Sequence, residues 1–182
     1  FYYDIDLGDV KISEDDFSRI EKEMRSIIAR DLPFTRQDVP VDEAITWAKE
    51  NNQPYKIELL NDLKRSGTTI AKDLAGQELG SASDDESKVD TVSLYSQGDY
   101  TDLCRGGQGE NNGKVGAFKL MRVAGAYWRG NENNPQMQRL YGVAFATQAE
   151  LDGYLDMLEE AKKRDHRKLG KELDLYTMST LV

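Results

Sequence analysis

The spacing of apolar side chains alternates between strand and helix patterns along this chain. Residues 1–7 alternate, with Tyr3, Ile5 and Leu7 on one side and Tyr2, Asp4 and Asp6 on the other, which predicts a short strand. Ser13 followed three residues on by Asp16 resembles a capping box, and Phe17, Ile20, Met24, Ile27 and Ile28 recur at helical spacing. Residues 34–39 predict a second strand stopped by Pro40. Residues 42–51 then predict a helix weighted by Ile45 and Trp47. Gln53-Pro54 opens another short helix carrying Tyr55, Leu59, Leu60 and Leu63. Between 64 and 89 periodicity is lost in a run rich in Gly, Ser, Ala and Asp, which predicts a long connection or hairpin rather than a domain boundary.

Residues 91–97 alternate again as a half-buried strand with Val92, Leu94 and Ser96 inward. Residues 114–128 and 137–146 are extended, and N-E-N-N-P between them predicts a turn and antiparallel pairing. Thr147 with Glu150 is a full capping box. The helix it opens places Leu151, Tyr154, Leu155, Leu158 and Ala161 on one face and is expected to end at Gly170.

At 182 residues the chain is long enough for one domain with a real core and an appended helix. With 38% hydrophobic and 31% charged residues it reads as soluble and globular, and no apolar run is long enough to span a membrane. The start lacks a signal peptide and also a Met, which predicts a processed or excised piece. A single cysteine excludes an internal disulfide and predicts a reducing, cytoplasmic location. One histidine, His166, leaves no His/Cys cluster for zinc, so no metal site is expected.

The net charge of −9 argues against a generic nucleic-acid binder, but residues 1–100 carry −10 and residues 101–182 carry +1. Contact with a polyanion is therefore expected from the second half, near Arg105, Lys114, Lys119, Arg122, Arg129 and Arg139, and from the basic run at 162–171.

Candidate chemistry gathers between Asp99 and Arg129. Asp102 and Cys104, two apart, share a face if this stretch is a strand. Gly106-Gly107 then permits a sharp turn or a close approach to a ligand. The spacing alone favours a buried thiol beside a solvated Asp; the alternative is a pocket floor. Lys56 falls in the first turn of its predicted helix, where a cation is unfavourable beside the helix dipole. It is either solvated or held by an acidic partner or ligand. G-G-Q-G-E-N-N-G lacks the lysine of a P-loop, which leaves little support for nucleotide hydrolysis.

Several segments together resemble the editing region of bacterial threonyl-tRNA synthetases, a module shared with alanyl-tRNA synthetases. They are F-Y-Y-D at 1–4, Y-K-I at 55–57, D-L-C-R-G-G at 102–107, F-K-L-M-R-V-A-G-A-Y-W-R-G at 118–130, Q-R-L-Y-G-V-A-F at 138–145 and R-D-H-R-K-L-G-K-E-L-D-L-Y at 164–176. The resemblance implies an α+β fold, an antiparallel sheet with helices packed on one side. It divides the chain into a partial editing domain over 1–146 and a linker helix over 147–182, leading toward a synthetase core that is not in this chain.

It further implies hydrolysis of serine mischarged onto threonine tRNA. Position by position, Tyr3, Lys56, Asp102 and Cys104 match the family's site; the resemblance implies Lys56, Asp102, Cys104 and Gln108 as the catalytic set and Tyr3, Arg105, Gly106 and Gly107 as substrate-binding residues. The family's C-x-x-x-H histidine falls on Gln108, which hydrogen-bonds but cannot exchange a proton near neutral pH. The family's H-x-x-x-H segment lies upstream of F-Y-Y-D, and both departures imply impaired hydrolysis. Cys104 is expected to line the pocket, Lys56 to supply positive charge, and Asp102 to take the substrate's amino group. The implied partners are the acceptor end of threonine tRNA and the rest of the synthetase, with any homodimer formed through the missing core and no membrane contact. No cofactor is expected in this piece; ATP, Mg and Zn belong to the core. The alternative is a non-catalytic module that binds the tRNA acceptor end or braces a partner.

Overall fold

The computed structural model describes residues 1–67, 89–164 and 169–170. Its class is α+β, with six strands in two antiparallel three-stranded sheets and helices alongside them. The chain divides into two compact units, one formed by 1–23 with 115–182 and the other by 24–114.

In the first unit the strand order is β1 (Tyr2–Ile5), β6 (Gln136–Phe145), β5 (Ala117–Tyr127). The expected turn does join β5 to β6 antiparallel, from Ala117 opposite Phe145 to Tyr127 opposite Gln136. A bulge between Leu120 and Arg122 makes Met121 the extra residue. Glu21, in helix α1 (Phe17–Ile28), serves this irregularity. Its buried carboxylate accepts the Leu120 N–H at 3.0 Å and pairs with Lys119 Nζ at 3.3 Å. Ser13 N–H donates to the Asp16 carboxylate at 3.0 Å, so the predicted capping box forms, although its first turn is a 3-10 turn.

β1 is short and lies largely exposed. Tyr3 and Leu7, which the alternation places on one side with Ile5, are 52% and 40% exposed. The strand is held by its register, Tyr2 opposite Tyr141 and Asp4 opposite Arg139, and by a bidentate ion pair. Arg139 Nε and Nη2 reach the two Asp4 oxygens at 2.6 and 2.8 Å, which raises the guanidinium further above its usual pKa. Helix α4 (Gln148–Lys163) packs on β5 and β6 with Leu151 buried and Tyr154 against Phe145 at 5.2 Å between ring centroids. Thr147 and Glu150 cap it as expected. Its apolar face stops short of prediction, because Ala161 is exposed. The helix ends at Lys163, capped by Arg164, rather than at the expected Gly170, which is itself helical; of the basic run, residues 165–168 with His166, and Lys171, lie outside the described residues.

The second unit sets β2 (Thr35–Pro40), β3 (Thr91–Gln97) and β4 (Tyr100–Leu103) beside α2 (Val41–Glu50) and α3 (Pro54–Ser66). Val39, Val92 and Leu94 from the sheet bury themselves with Val41, Ala44, Ile45 and Ala48 of α2 and Leu60 of α3. Pro40 does stop its strand, and α2 begins at the next residue because proline's fixed φ and missing N–H suit a helix entrance. Lys64 to Ser66, expected in the aperiodic connection, instead complete α3, which closes on Gly67 at φ +69°. Propensity at these three polar positions is compatible with helix; only the apolar period was missing. The rest of that connection, 68–88, lies outside the described residues. No described helix is long and apolar enough to cross a membrane.

Candidate functional site

The second unit gathers most of the sequence's candidate residues. Pro54 starts α3 without needing an N–H, which places Lys56 in the helix's first turn, where its charge opposes the dipole. The structure resolves that conflict with an acidic partner. Lys56 Nζ meets Asp102 Oδ1 on β4 at 2.5 Å, with the two side chains 19% and 23% exposed. Trp47 of α2 supplies a second contact, its ring centroid 5.9 Å from the ammonium. Tyr100 donates its hydroxyl to the other Asp102 oxygen at 2.9 Å. Both carboxylate oxygens are therefore engaged, Oδ1 by the ion pair and Oδ2 by the Tyr100 hydroxyl, and any further cation at Asp102 would have to share or displace one of them.

β4 ends at Leu103, so Cys104 lies one step beyond the strand. Its N–H still donates to Ser93 O at 3.1 Å, which keeps the ladder running into the glycine turn. Gly106 and Gly107 then adopt φ of +120° and +78°. A Cβ on Gly106 would lie 3.0 Å from the Tyr95 hydroxyl, whereas the space at Gly107 is open, so its backbone can lie against a ligand. The turn folds Gln108 back over the thiol: Gln108 Nε2 donates to Cys104 Sγ at 3.0 Å. Arg105 is exposed.

The structure thus unites Lys56 with Asp102 and Cys104 with Gln108, at adjoining points of one strand end. Tyr3 belongs to the first unit. Tyr100 and Trp47 were missed as site residues. Tyr100 had a signal in the sequence, since it lies two residues before Asp102 on the same strand face. Trp47 reads there as core, and only the pairing of α2 with α3 brings it to Lys56. Among the described residues no group of three or more His, Cys, Asp or Glu is placed to hold a metal ion.

Comparison with known proteins decides what this site belongs to. Residues 92–141 match the model of the threonyl and alanyl tRNA synthetase second additional domain. Among its relatives, the threonine–tRNA ligase of Deinococcus radiodurans is 50% identical over 183 residues, all of this chain and 24% of the ligase. That of Clostridium acetobutylicum is 47% identical over 178 residues, 98% of this chain and 24% of the ligase. That of Thermotoga neapolitana is 43% identical over 180 residues, 99% and 24% respectively. The chain belongs to the threonyl-tRNA synthetase family. It spans about a quarter of the length of the curated relatives it matches. The family's second additional domain takes in β3, β4 and the Asp102–Gln108 turn and runs through β5 into β6. Lys56, on α3, lies outside that matched segment but inside the region aligned with the ligases.

Proposed function

We propose that this chain is the editing region of a threonine–tRNA ligase. It takes the aminoacylated acceptor end of threonine tRNA and orients a mischarged seryl ester for hydrolysis, with turnover held low by Gln108. The observation that carries this reading is the Lys56–Asp102–Tyr100 group beside the glycine turn at Cys104, within a chain 43–50% identical to threonine–tRNA ligases.

Ester hydrolysis needs a placed water, a proton acceptor and charge for the developing oxyanion. Asp102 offers a carboxylate to the amino group, and Lys56, once displaced from Asp102, offers its ammonium to the oxyanion. The open backbone at Gly107 admits the terminal nucleotide. Gln108 supplies a hydrogen bond without a proton transfer, and general acid–base help is worth about 10²–10⁴-fold where it is present. Cys104, already accepting from Gln108, lines the pocket. Among the described residues the thiol's hydrogen-bond partners are Gln108 and the Gly106 carbonyl, neither of them a base that could activate it as a nucleophile.

The test is Gln108→His, assayed as release of serine from mischarged threonine tRNA. The expected outcome is at least about tenfold faster release, in keeping with a restored proton-transfer group. Unchanged release with unchanged tRNA binding favours the second reading, a module that binds the acceptor end without chemistry. The Gln108 N–H spent on Cys104 is the observation that favours it.

A further inference from the structure

The first unit carries a second arrangement that the site above does not use. Across β5, β6 and β1, cations and rings alternate on one face of the sheet. The Arg122 guanidinium carbon lies 4.1 Å from the Tyr141 ring centroid, Tyr141 lies 6.1 Å from Tyr2, and the Arg139 guanidinium carbon lies 4.4 Å from Tyr2. A bulge creates this face. Leu120 pairs with Gly142, so an unbroken ladder would set Met121 opposite Tyr141 and Arg122 opposite Leu140. The extra residue instead sets Arg122 opposite Tyr141, and Glu21 holds that irregularity by taking the Leu120 N–H.

Of the two cations on this face, Arg139 is neutralised by Asp4, whereas Arg122 has no ion pair among the described residues. Of the basic residues between 114 and 139, Lys114 is held by Glu110, Lys119 by Glu21 and Arg139 by Asp4. Arg122 is exposed and its guanidinium lies over the Tyr141 ring. Tyr2 is 58% exposed beside it, and on β1 it points to the opposite side from Tyr3.

We propose that the Tyr2–Tyr141–Arg122 face is a contact surface for unpaired RNA. A base stacks on Tyr2 and the Arg122 guanidinium meets the adjoining phosphate. This rests on the reading that the chain acts on tRNA and assigns a surface distinct from the Lys56–Asp102 group. Rings tolerate any base because each base has a π face, and a guanidinium already lying on a ring is pre-oriented for a phosphate. A duplex hides its base faces and cannot use such a platform.

The experiment is fluorescence anisotropy of the chain with a labelled short single-stranded RNA and with the same sequence annealed into a duplex, over a salt series. The single strand should bind more tightly than the duplex. Tyr2→Ala should weaken single-strand binding about tenfold. Arg122→Ala should reduce the salt slope by roughly one, whereas Arg122→Lys should keep the slope while losing affinity. Thermal melting should remain near that of the parent, since both residues are exposed. The proposal is overturned by any of four results: no single-strand binding at low salt, equal duplex binding, variants that bind like the parent, or self-association of the parent that Tyr2→Ala abolishes. Serine release is assayed separately. Oligonucleotide binding without release upholds this surface and refutes the hydrolytic reading, and release without oligonucleotide binding does the reverse.

Discussion

Two ion pairs of similar burial behave as different devices in this chain. In the first unit Arg139 grips Asp4 through two parallel hydrogen bonds at 2.6 and 2.8 Å, with the side chains 29% and 24% exposed. In the second, Lys56 meets a single oxygen of Asp102 at 2.5 Å, with the side chains 19% and 23% exposed, and Tyr100 takes the other oxygen. A planar guanidinium fork is committed to its carboxylate, whereas an ammonium on four methylenes is a point charge that can swing to a new acceptor. The first pair fastens a strand that is otherwise four residues long. On the proposed reading, the second keeps a cation and a carboxylate together until a ligand separates them. Burial does not separate the two pairs, and neither does the number of engaged oxygens, which is two in each; the difference is that one forked cation holds both Asp4 oxygens whereas two separate groups share those of Asp102.

The largest way to break this contrast is through the helix that carries Lys56. Leu60, one turn further along α3, is wholly buried, and Leu60→Ala should cost about 2–5 kcal/mol in urea unfolding. It should also broaden the Lys56–Asp102 pair in NMR spectra while the Arg139–Asp4 pair stays sharp. Next in size, Arg139→Ala strips Asp4 of both charged hydrogen bonds and should cost about 2 kcal/mol. Lys56→Ala leaves Tyr100 on Asp102 and should cost about 1 kcal/mol while weakening tRNA binding. Equal stability losses at the two positions would erase the distinction between latch and site.

A smaller effect is expected at the turn. Gly106→Ala places a side chain at φ +120° and against the Tyr95 hydroxyl, and should cost about 1 kcal/mol or more in the same denaturation assay. Smallest is the acid response of two carboxylates near the surface, Asp38 exposed and Asp16 half-buried. Asp38 is held below the ordinary aspartate value of 3.8 by hydrogen bonds from Ser93 and Arg36, and Asp16 by the Ser13 N–H and Arg19. A lowered folded-state pKa means that their stabilisation is present above 3.8 and fades as pH falls through the folded value. Asp38→Asn should therefore lower the melting temperature slightly near neutrality, and the difference from the parent should vanish as pH falls through the folded value.

Much of this was legible in the residues. The Thr147–Glu150 box, the 91–97 strand and the 131–135 turn each have a local cause, so the sequence alone places them. Lys56 carried its own warning, a cation where the helix dipole disfavours one, and Asp102 is the answer. What sequence spacing could not reach was long-range. Glu21 looks like one more charge on a solvated helix face, yet it is 3% exposed because a bulge 99 residues away needs its oxygen. The bulge itself adds one residue to an otherwise regular apolar run, and so the facing of Arg122 inverts without a local signal. The division of the strands into two sheets likewise depends on pairing partners far apart in the chain.

The central claim is that Lys56 and Asp102 form a site that selects a mischarged ester. Its most direct test is release of serine and of threonine from threonine tRNA charged with each, for the chain, Lys56→Ala and Asp102→Asn. The account predicts slow release of serine above the buffer rate, threonine retained, and the difference lost in both variants. Serine and threonine released alike, or a selectivity that survives both substitutions, would contradict it.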